Sequence, residues 1–194
     1  MTDAVTAPCR VLVWITEGTW QASVDTALRL APAGSRFTLL HVTPDEARET
    51  ARGAYLGLFG RGDPGRDPAP RIAGISAAAA ADLLDAAARR LGRPCDRIER
   101  SGRTEREVVT AAAGADLLIV ARDGDRSRLG PRSLGKATRF AVDHAPCPVM
   151  LVWPDPAPGI ATIPPPPPPH AAPPGPDAER TPRPRRAGGD DRGP

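Results

Sequence analysis

The stretch ADLLIVARDGDRSRLGPRSLGKATRFAVDHAPCPVMLVW, residues 115–153, carries the clearest structural pattern in this chain. A short apolar run, Leu117 to Val120, ends at a loop with three glycines. A helical pattern then leads to His144, and a second apolar run begins at Val149. A strand, a glycine loop, a helix and a strand make a βαβ unit, and short apolar runs are typical of buried parallel strands. The stretch therefore predicts a parallel sheet.

The loop between the two apolar runs is rich in glycine and in positive charge. Residues 121–140 contain six Arg or Lys and two Asp, together with Gly124, Gly130 and Gly135. Glycines let backbone N–H groups approach a ligand, and a helix N-terminus favours an anion. We therefore predict a phosphate site at the carboxyl end of the strand before this loop.

The rest of the chain repeats the alternation of strand and helix. Strands are predicted over residues 10–16, 36–42 and 95–100, and helices over 20–31, over 75–91 and from 104 up to Gly114. With the opening stretch, this order predicts an α/β protein: a three-layer α/β/α sandwich around a five-stranded, parallel, doubly wound (Rossmann-like) sheet. A ligand would then bind beyond the carboxyl ends of the strands, where the strand order reverses.

Three finer features can also be predicted. Thr104 and Glu107 have the spacing of a capping box at the start of the third helix. The polar sequence of residues 95–100 favours a strand at the edge of the sheet. The second helix carries apolar residues four apart, which predicts a buried stripe of Ile75, Ala79, Leu83, Ala87 and Leu91.

The end of the opening stretch is similar to a known family. His144-Ala145-Pro146-Cys147-Pro148-Val149 follows a glycine pattern and a helix and precedes the last strand. This arrangement resembles the C-terminal half of a universal stress protein domain. The resemblance covers roughly residues 8–154, and we take the predicted domain as 8–154.

The resemblance implies an adenine nucleotide, ATP or AMP, with Mg²⁺ accompanying ATP. The family's glycine pattern is Gly, two residues, Gly, nine residues, Gly and then Ser or Thr. Here Ala121 stands at the first Gly, ten residues separate Gly124 from Gly135, and Lys136 replaces the hydroxyl residue. Carried over position by position, the implied nucleotide-binding residues are Thr16, Glu17, Val42, Ala121, Gly124, Gly135, Lys136, Ala137 and Thr138.

Two functions remain open for such a chain. The first is a stress-response protein that binds an adenine nucleotide and acts as a sensor or scaffold. The alternative is a dimeric interaction module of the same family that no longer binds nucleotide, which Ala121, the extra loop residue and Lys136 favour. We do not expect an enzyme, because the sequence shows no catalytic triad spacing, no metal-ligand cluster and no carboxylate pair set in a motif.

Composition limits the binding partners and the cellular compartment that we expect for this chain. A net charge of +3 is too weak to indicate nucleic-acid binding, and no apolar run is long enough for a membrane span. The N-terminus lacks a signal-peptide pattern, and three widely spaced cysteines are typical of reduced thiols, so we expect a cytoplasmic protein. The family resemblance implies a homodimer formed through the last strand.

Two segments differ from the predicted domain. Residues 43–74 form a long, turn-rich connection whose role the sequence leaves open. Residues 155–194 hold 14 of the chain's 25 prolines, with arginines balanced by acids, and we predict a disordered, Pro- and Arg-rich tail.

Overall fold

The computed structural model describes residues 7–45 and 69–165. Within these residues strands and helices alternate, and short 3₁₀ turns lie at Pro131–Ser133 and Ile160–Thr162. The strands are β1 Arg10–Trp14, β2 Arg36–Pro44, β3 Cys95–Gly102, β4 Leu117–Ala121 and β5 Val149–Val152. The helices are α1 Trp20–Leu30, α2 Ala69–Leu91, α3 Thr104–Ala112 and α4 Lys136–His144.

The five strands form one parallel sheet in the order β3-β2-β1-β4-β5. The order reverses between β1 and β4, where Val13 is level with Ile119. The polar strand β3 lies at one edge, as its sequence predicted, and β5 lies at the other. The predicted fold class is therefore confirmed. In sheets of this kind, ligands typically bind beyond the carboxyl ends of the strands near such a reversal.

Two apolar clusters cover the two faces of the sheet. Val13 and Phe37 belong to the cluster that also contains Val24 of α1 and Leu84 of α2. Trp14 and its alternating neighbours on the other face pack with residues of α3 and α4, among them Val108 and Ala141. Successive residues of a strand point to opposite faces, so the wholly apolar sequence of β1 fills both clusters.

The inward stripe of α2 agrees with the predicted one at Ala87 and Leu91 and differs from it nearer the N-terminus of the helix. Ile75 is 64% exposed, whereas Ala80, Leu84, Ala87 and Leu91 are at most 4% exposed. A spacing of four drifts around a helix of 3.6 residues per turn, so a stripe read only at that spacing leaves the buried face within a few turns. The alternation of three and four residues in the observed set stays on that face.

The predicted capping box at α3 is wrong. Arg103, not Thr104, is the N-cap residue, and no side chain caps the helix there. The Glu107 carboxylate instead accepts a hydrogen bond from the Arg100 guanidinium at 3.1 Å. A charged partner on the neighbouring strand has replaced the local bond that the spacing suggested.

Residues beyond β5 contact the glycine loop. The Leu129 amide donates to the Thr162 hydroxyl at 3.0 Å, and the Arg126 guanidinium lies 3.0 Å from the Asp155 carboxylate. The described residues up to Ile163 belong to one compact unit. The predicted bounds 8–154 and the predicted disorder of residues 155–194 stay predictions, and most of that segment, 166–194, lies outside the described residues, as does 46–68 of the long connection.

In the part of the chain that the structure describes, no helix is both long enough and apolar enough to cross a membrane.

Candidate functional site

Three of the residues implied as nucleotide contacts meet at the carboxyl ends of neighbouring strands. Trp14 is level with Leu40, and Val13 with Ile119, so the register brings Thr16, Val42 and Ala121 to the same edge of the sheet. Val42 is 4% and Ala121 8% exposed. These two side chains therefore belong to the core below the edge.

The turn after β1 is closed by backbone hydrogen bonds. The Thr16 carbonyl accepts from the Thr19 amide at 3.2 Å and from the Trp20 amide at 3.0 Å, at the start of α1. Gly18 has φ of 74°, a value that glycine adopts without strain. Glu17 lies in this turn and is exposed. Beside it, the His41 ring lies with Nδ1 2.8 Å from the Ile15 carbonyl, a structural role for this histidine.

The glycine loop folds back on itself. The Gly124 amide donates to the Ser133 carbonyl at 3.0 Å, and the Asp125 amide donates to the Arg132 carbonyl at 2.8 Å. A Cβ on Gly124 would lie 2.8 Å from the carbonyl carbon of Ser133. Glycine is needed at this position because two arms of the loop touch there.

Arg122 fastens the base of the loop to β5. Its guanidinium carbon lies 4.6 Å from the centre of the Trp153 ring, and its Nη1 donates to the buried hydroxyl of Ser133. Its backbone amide donates to the Val152 carbonyl at 2.9 Å. A cation over an indole face is attracted by the ring quadrupole, so these contacts hold the loop to the last strand.

The N-terminus of α4 is occupied by an acidic side chain of the same loop. The Gly135 amide donates to Oδ1 of Asp123 at 2.7 Å. A Cβ on Gly135 would lie 2.7 Å from Oδ2 of Asp123, so the carboxylate rests directly against the glycine. The sequence predicted that a ligand anion would bind at the start of this helix. In this structure the Asp123 carboxylate occupies that position.

The next three implied residues differ in exposure. Lys136, the first residue of α4, is exposed and is the single lysine of the chain. Ala137 is half-buried. Thr138 is 1% exposed, so its hydroxyl is enclosed by protein.

A cavity of about 670 Å³ opens beside the first turn of α4. It lies between the carboxyl ends of β2 and β3 and the N-terminal ends of α3 and α4. Its walls are formed by Pro44, Asp45, Gly102, Arg103, Thr104, Glu105, Lys136, Ala137 and Phe140. Of the nine residues implied by the resemblance, Lys136 and Ala137 line this cavity and the other seven do not.

Charges in the cavity wall are partly paired. The Arg103 guanidinium lies 2.7 Å from the Glu105 carboxylate. The pKa of Glu105 is lowered, first by a hydrogen bond from its own backbone N–H at the start of α3 and then by Arg103. Among the described residues, Lys136 has no acidic partner within ion-pair distance, so it is the basic wall residue that is available to a ligand.

Sequence reasoning missed most of the cavity wall. Arg103, Thr104 and Glu105 follow β3 directly, and Pro44 and Asp45 stand at the end of β2. Residues that follow parallel strands meet at one edge of a sheet, and this rule could have pointed to them. Across residues 7–45 and 69–165, no group of three or more His, Cys, Asp or Glu is placed to hold a metal ion.

A doubly wound parallel sheet with a glycine loop at its reversal point and a cavity at its carboxyl edge defines the class of this protein. Residues 9–152 match the model of the universal stress protein family. The chain therefore belongs to the universal stress protein family, as its sequence predicted. No curated protein matches the chain.

Solved structures support the same fold. The universal stress protein UspA from Lactobacillus plantarum superposes with a TM-score of 0.55 at 22% identity, covering 76% of this chain and 99% of that one. The hypothetical protein MJ0577 gives a TM-score of 0.58 at 16% identity, covering 76% and 97%. At such identities the likeness shows the fold alone.

Proposed function

We propose that this chain is a stress-response protein that binds an adenine nucleotide, ATP or AMP, and acts as a cytoplasmic sensor or scaffold. The observation that carries the proposal is the 670 Å³ cavity, which lies where the N-terminal ends of α3 and α4 converge. Ligand pockets are typically ~300–1,000 Å³, and helix N-termini favour phosphate. Family membership points to the same ligand class.

The wall residues suit the parts of such a ligand. Phe140 and Pro44 offer apolar surface for a base, and Glu105 offers carboxylate oxygens for ribose hydroxyls. Lys136 offers a cation for phosphate. Mg²⁺ would arrive with ATP and be held chiefly by the phosphates. Thr16, Glu17, Val42, Ala121, Gly124, Gly135 and Thr138 remain proposed contacts or supports of the same site.

The test is replacement of Lys136 by alanine. We expect Lys136→Ala to weaken ATP binding in calorimetry. We expect the stability of the unliganded protein to change little, because the Asp123 carboxylate already supplies an anion at this helix N-terminus. Arg106→Ala, which removes an exposed cation from α3 outside the cavity, serves as the control. Equal ATP affinity in wild type and Lys136→Ala would contradict the role of Lys136.

A second readout uses the single lysine. An amine-acylating reagent can modify only Lys136 and the N-terminal amine, and mass spectrometry separates the two sites. We expect ATP to protect Lys136 from acylation while the N-terminus reacts unchanged. Equal labelling of Lys136 with and without saturating ATP would count against nucleotide binding in this cavity.

The alternative function is a dimeric interaction module without nucleotide. The observation that favours it is the Asp123 carboxylate on the Gly135 amide, 2.7 Å away, at the predicted phosphate position. Both functions include a homodimer, which we propose forms through β5. Retention of an adenine nucleotide by the purified protein, measured by absorbance after denaturation, would decide for the first function.

A further inference from the structure

We propose that Asp123 is a specificity-determining residue: it competes with ligand phosphate for the N-terminus of α4, so the site discriminates against phosphorylated ligands relative to the nucleoside. This inference rests on the proposed nucleotide site. It concerns a residue that the glycine pattern does not mark, because Asp123 stands at one of the two variable positions between Ala121 and Gly124.

The geometry places the carboxylate where a phosphate oxygen would sit. Oδ1 of Asp123 accepts a hydrogen bond from the Gly135 amide at 2.7 Å, and Oδ2 lies 2.7 Å from the point where a Cβ on residue 135 would be. The next residue of the helix, Lys136, lines the 670 Å³ cavity. A phosphate that entered the cavity toward Gly135 would therefore meet an acceptor already bound to that amide.

Two anions cannot share one amide at this distance. A phosphate on Gly135 would have to displace the carboxylate or accept its repulsion, and hydrogen bonds to charged groups are among the stronger ones in proteins. Asp123 is exposed, so its carboxylate can move into water when a phosphate displaces it. Asp125, the other acid of the loop, is already held by Ser127 and Arg128.

The same arrangement leaves an unphosphorylated ligand unaffected. Adenosine has no group that needs the Gly135 amide, and the apolar and carboxylate parts of the cavity wall do not include Asp123. The carboxylate therefore lowers affinity for ATP without lowering affinity for adenosine. Specificity depends on this difference between two affinities.

Calorimetric titration with ATP and with adenosine tests the proposal on four proteins. These are wild type, Asp123→Ala, Asp123→Asn and Asp143→Ala. Asp143→Ala removes the same charge from the C-terminal turn of α4, away from Gly135. Asp123→Asn keeps an oxygen acceptor for the Gly135 amide and so guards against a loop that fails to fold.

We expect Asp123→Ala to bind ATP about tenfold more tightly than wild type, because a charge-assisted hydrogen bond no longer has to be broken. Adenosine affinity should stay the same. The ATP affinity of Asp123→Asn should lie between those of wild type and Asp123→Ala. The ATP affinity of Asp143→Ala should equal that of wild type. In wild type, the Gly135 amide resonance should shift when ATP binds, because its acceptor changes from the Asp123 carboxylate to phosphate.

Failure of the inference and failure of the proposed function give different results. If ATP and adenosine bind, and both Asp123 variants leave their affinity ratio at the wild-type value, Asp123 does not set specificity while the nucleotide site stands. If neither ligand binds to any of the four proteins, the nucleotide site itself is absent and the inference falls with it.

Discussion

Arg10 and Asp116 join the starts of β1 and β4 by several hydrogen bonds. The Asp116 carboxylate accepts from the Arg10 backbone amide at 2.8 Å and from its guanidinium at 2.9 Å, and the Asp116 amide donates to the Arg10 carbonyl at 2.8 Å. The hydrogen bonds from the Arg10 side chain and backbone lower the pKa of Asp116 to about 2. The pair links the starts of these two neighbouring strands.

Replacing Asp116 by asparagine should make stability less dependent on acid pH. The carboxyl has a lower pKa in the folded chain than its ordinary value of 3.8. Its contribution to stability is therefore present above about pH 4 and is lost as the pH falls toward 2. We expect Asp116→Asn to melt below wild type at pH 7 and to approach it near pH 2. A melting-temperature gap that is equally large at both pH values would contradict this.

Gly124 shows the effect of close backbone approach. We expect Gly124→Ala to lower the free energy of unfolding by ~1–3 kcal/mol, because the new methyl group would overlap the backbone of Ser133 and force the loop arms apart. Gly114→Ala is the matched control, since a Cβ there meets nothing within 4 Å. Denaturant titration of both variants measures their unfolding free energies. Equal unfolding midpoints for the two variants would mean that the loop arms can separate without loss of stability.

At the scale of elements, α2 owes its position to one buried face. Its C-terminal half packs Leu84, Ala87 and Leu91 against the cluster that contains Phe37 and Leu39 of β2. The opposite face carries Asp85, whose carboxylate pairs with Arg97 of β3. That pair is about half exposed and adds little, so apolar burial holds the helix in place.

Two alanine substitutions on α2 should differ sharply in their effect on the free energy of unfolding. Leu84 is 4% exposed, and Leu84→Ala should cost ~2–5 kcal/mol of unfolding free energy. Ile75 is 64% exposed, and Ile75→Ala should change stability by no more than ~0.5 kcal/mol. Chemical denaturation measures both. A large loss of unfolding free energy with Ile75→Ala would indicate that Ile75 is buried, as the four-residue spacing predicted.

At the scale of the whole molecule, β5 is an apolar edge strand whose first three residues are half-buried and whose last, Val152, is buried. Its carbonyls at Pro148 and Val152 accept from β4, which leaves the backbone groups of Val149 and Leu151 on the free side. A cavity of about 420 Å³ adjoins this edge, between β5 and Leu30 of α1, and Leu30 is 53% exposed. An open apolar edge favours pairing with another strand.

We expect a dimer in sedimentation velocity at micromolar concentration. Leu151→Pro should weaken it, because proline removes an N–H on the free side while the bonds to β4 involve other residues. Ile75→Ala, which alters an exposed apolar residue of α2, should leave association unchanged. A wild-type monomer across this concentration range would rule out the edge-strand dimer.

The order of elements, the fold class and the family can all be read from the amino-acid sequence. Apolar runs at Val11, Leu39 and Ile119 are typical of inner parallel strands, and the polar run of β3 is typical of an edge strand. HAPCPV supplied the family, and the position of Lys136 at the start of α4 followed from the glycine that precedes it. These are local patterns, which a linear sequence records in full.

Tertiary structure alone decided which groups occupy the site. The pairing of Asp123 with Gly135 spans 12 residues, and the cavity joins residues after β2 and β3 to the start of α4. Glu107 exchanged its predicted local bond for Arg100, and Thr138 became enclosed. Residue spacing along the sequence cannot predict these contacts. Each contact depends on which of several donors and acceptors the folded sheet brings closest together.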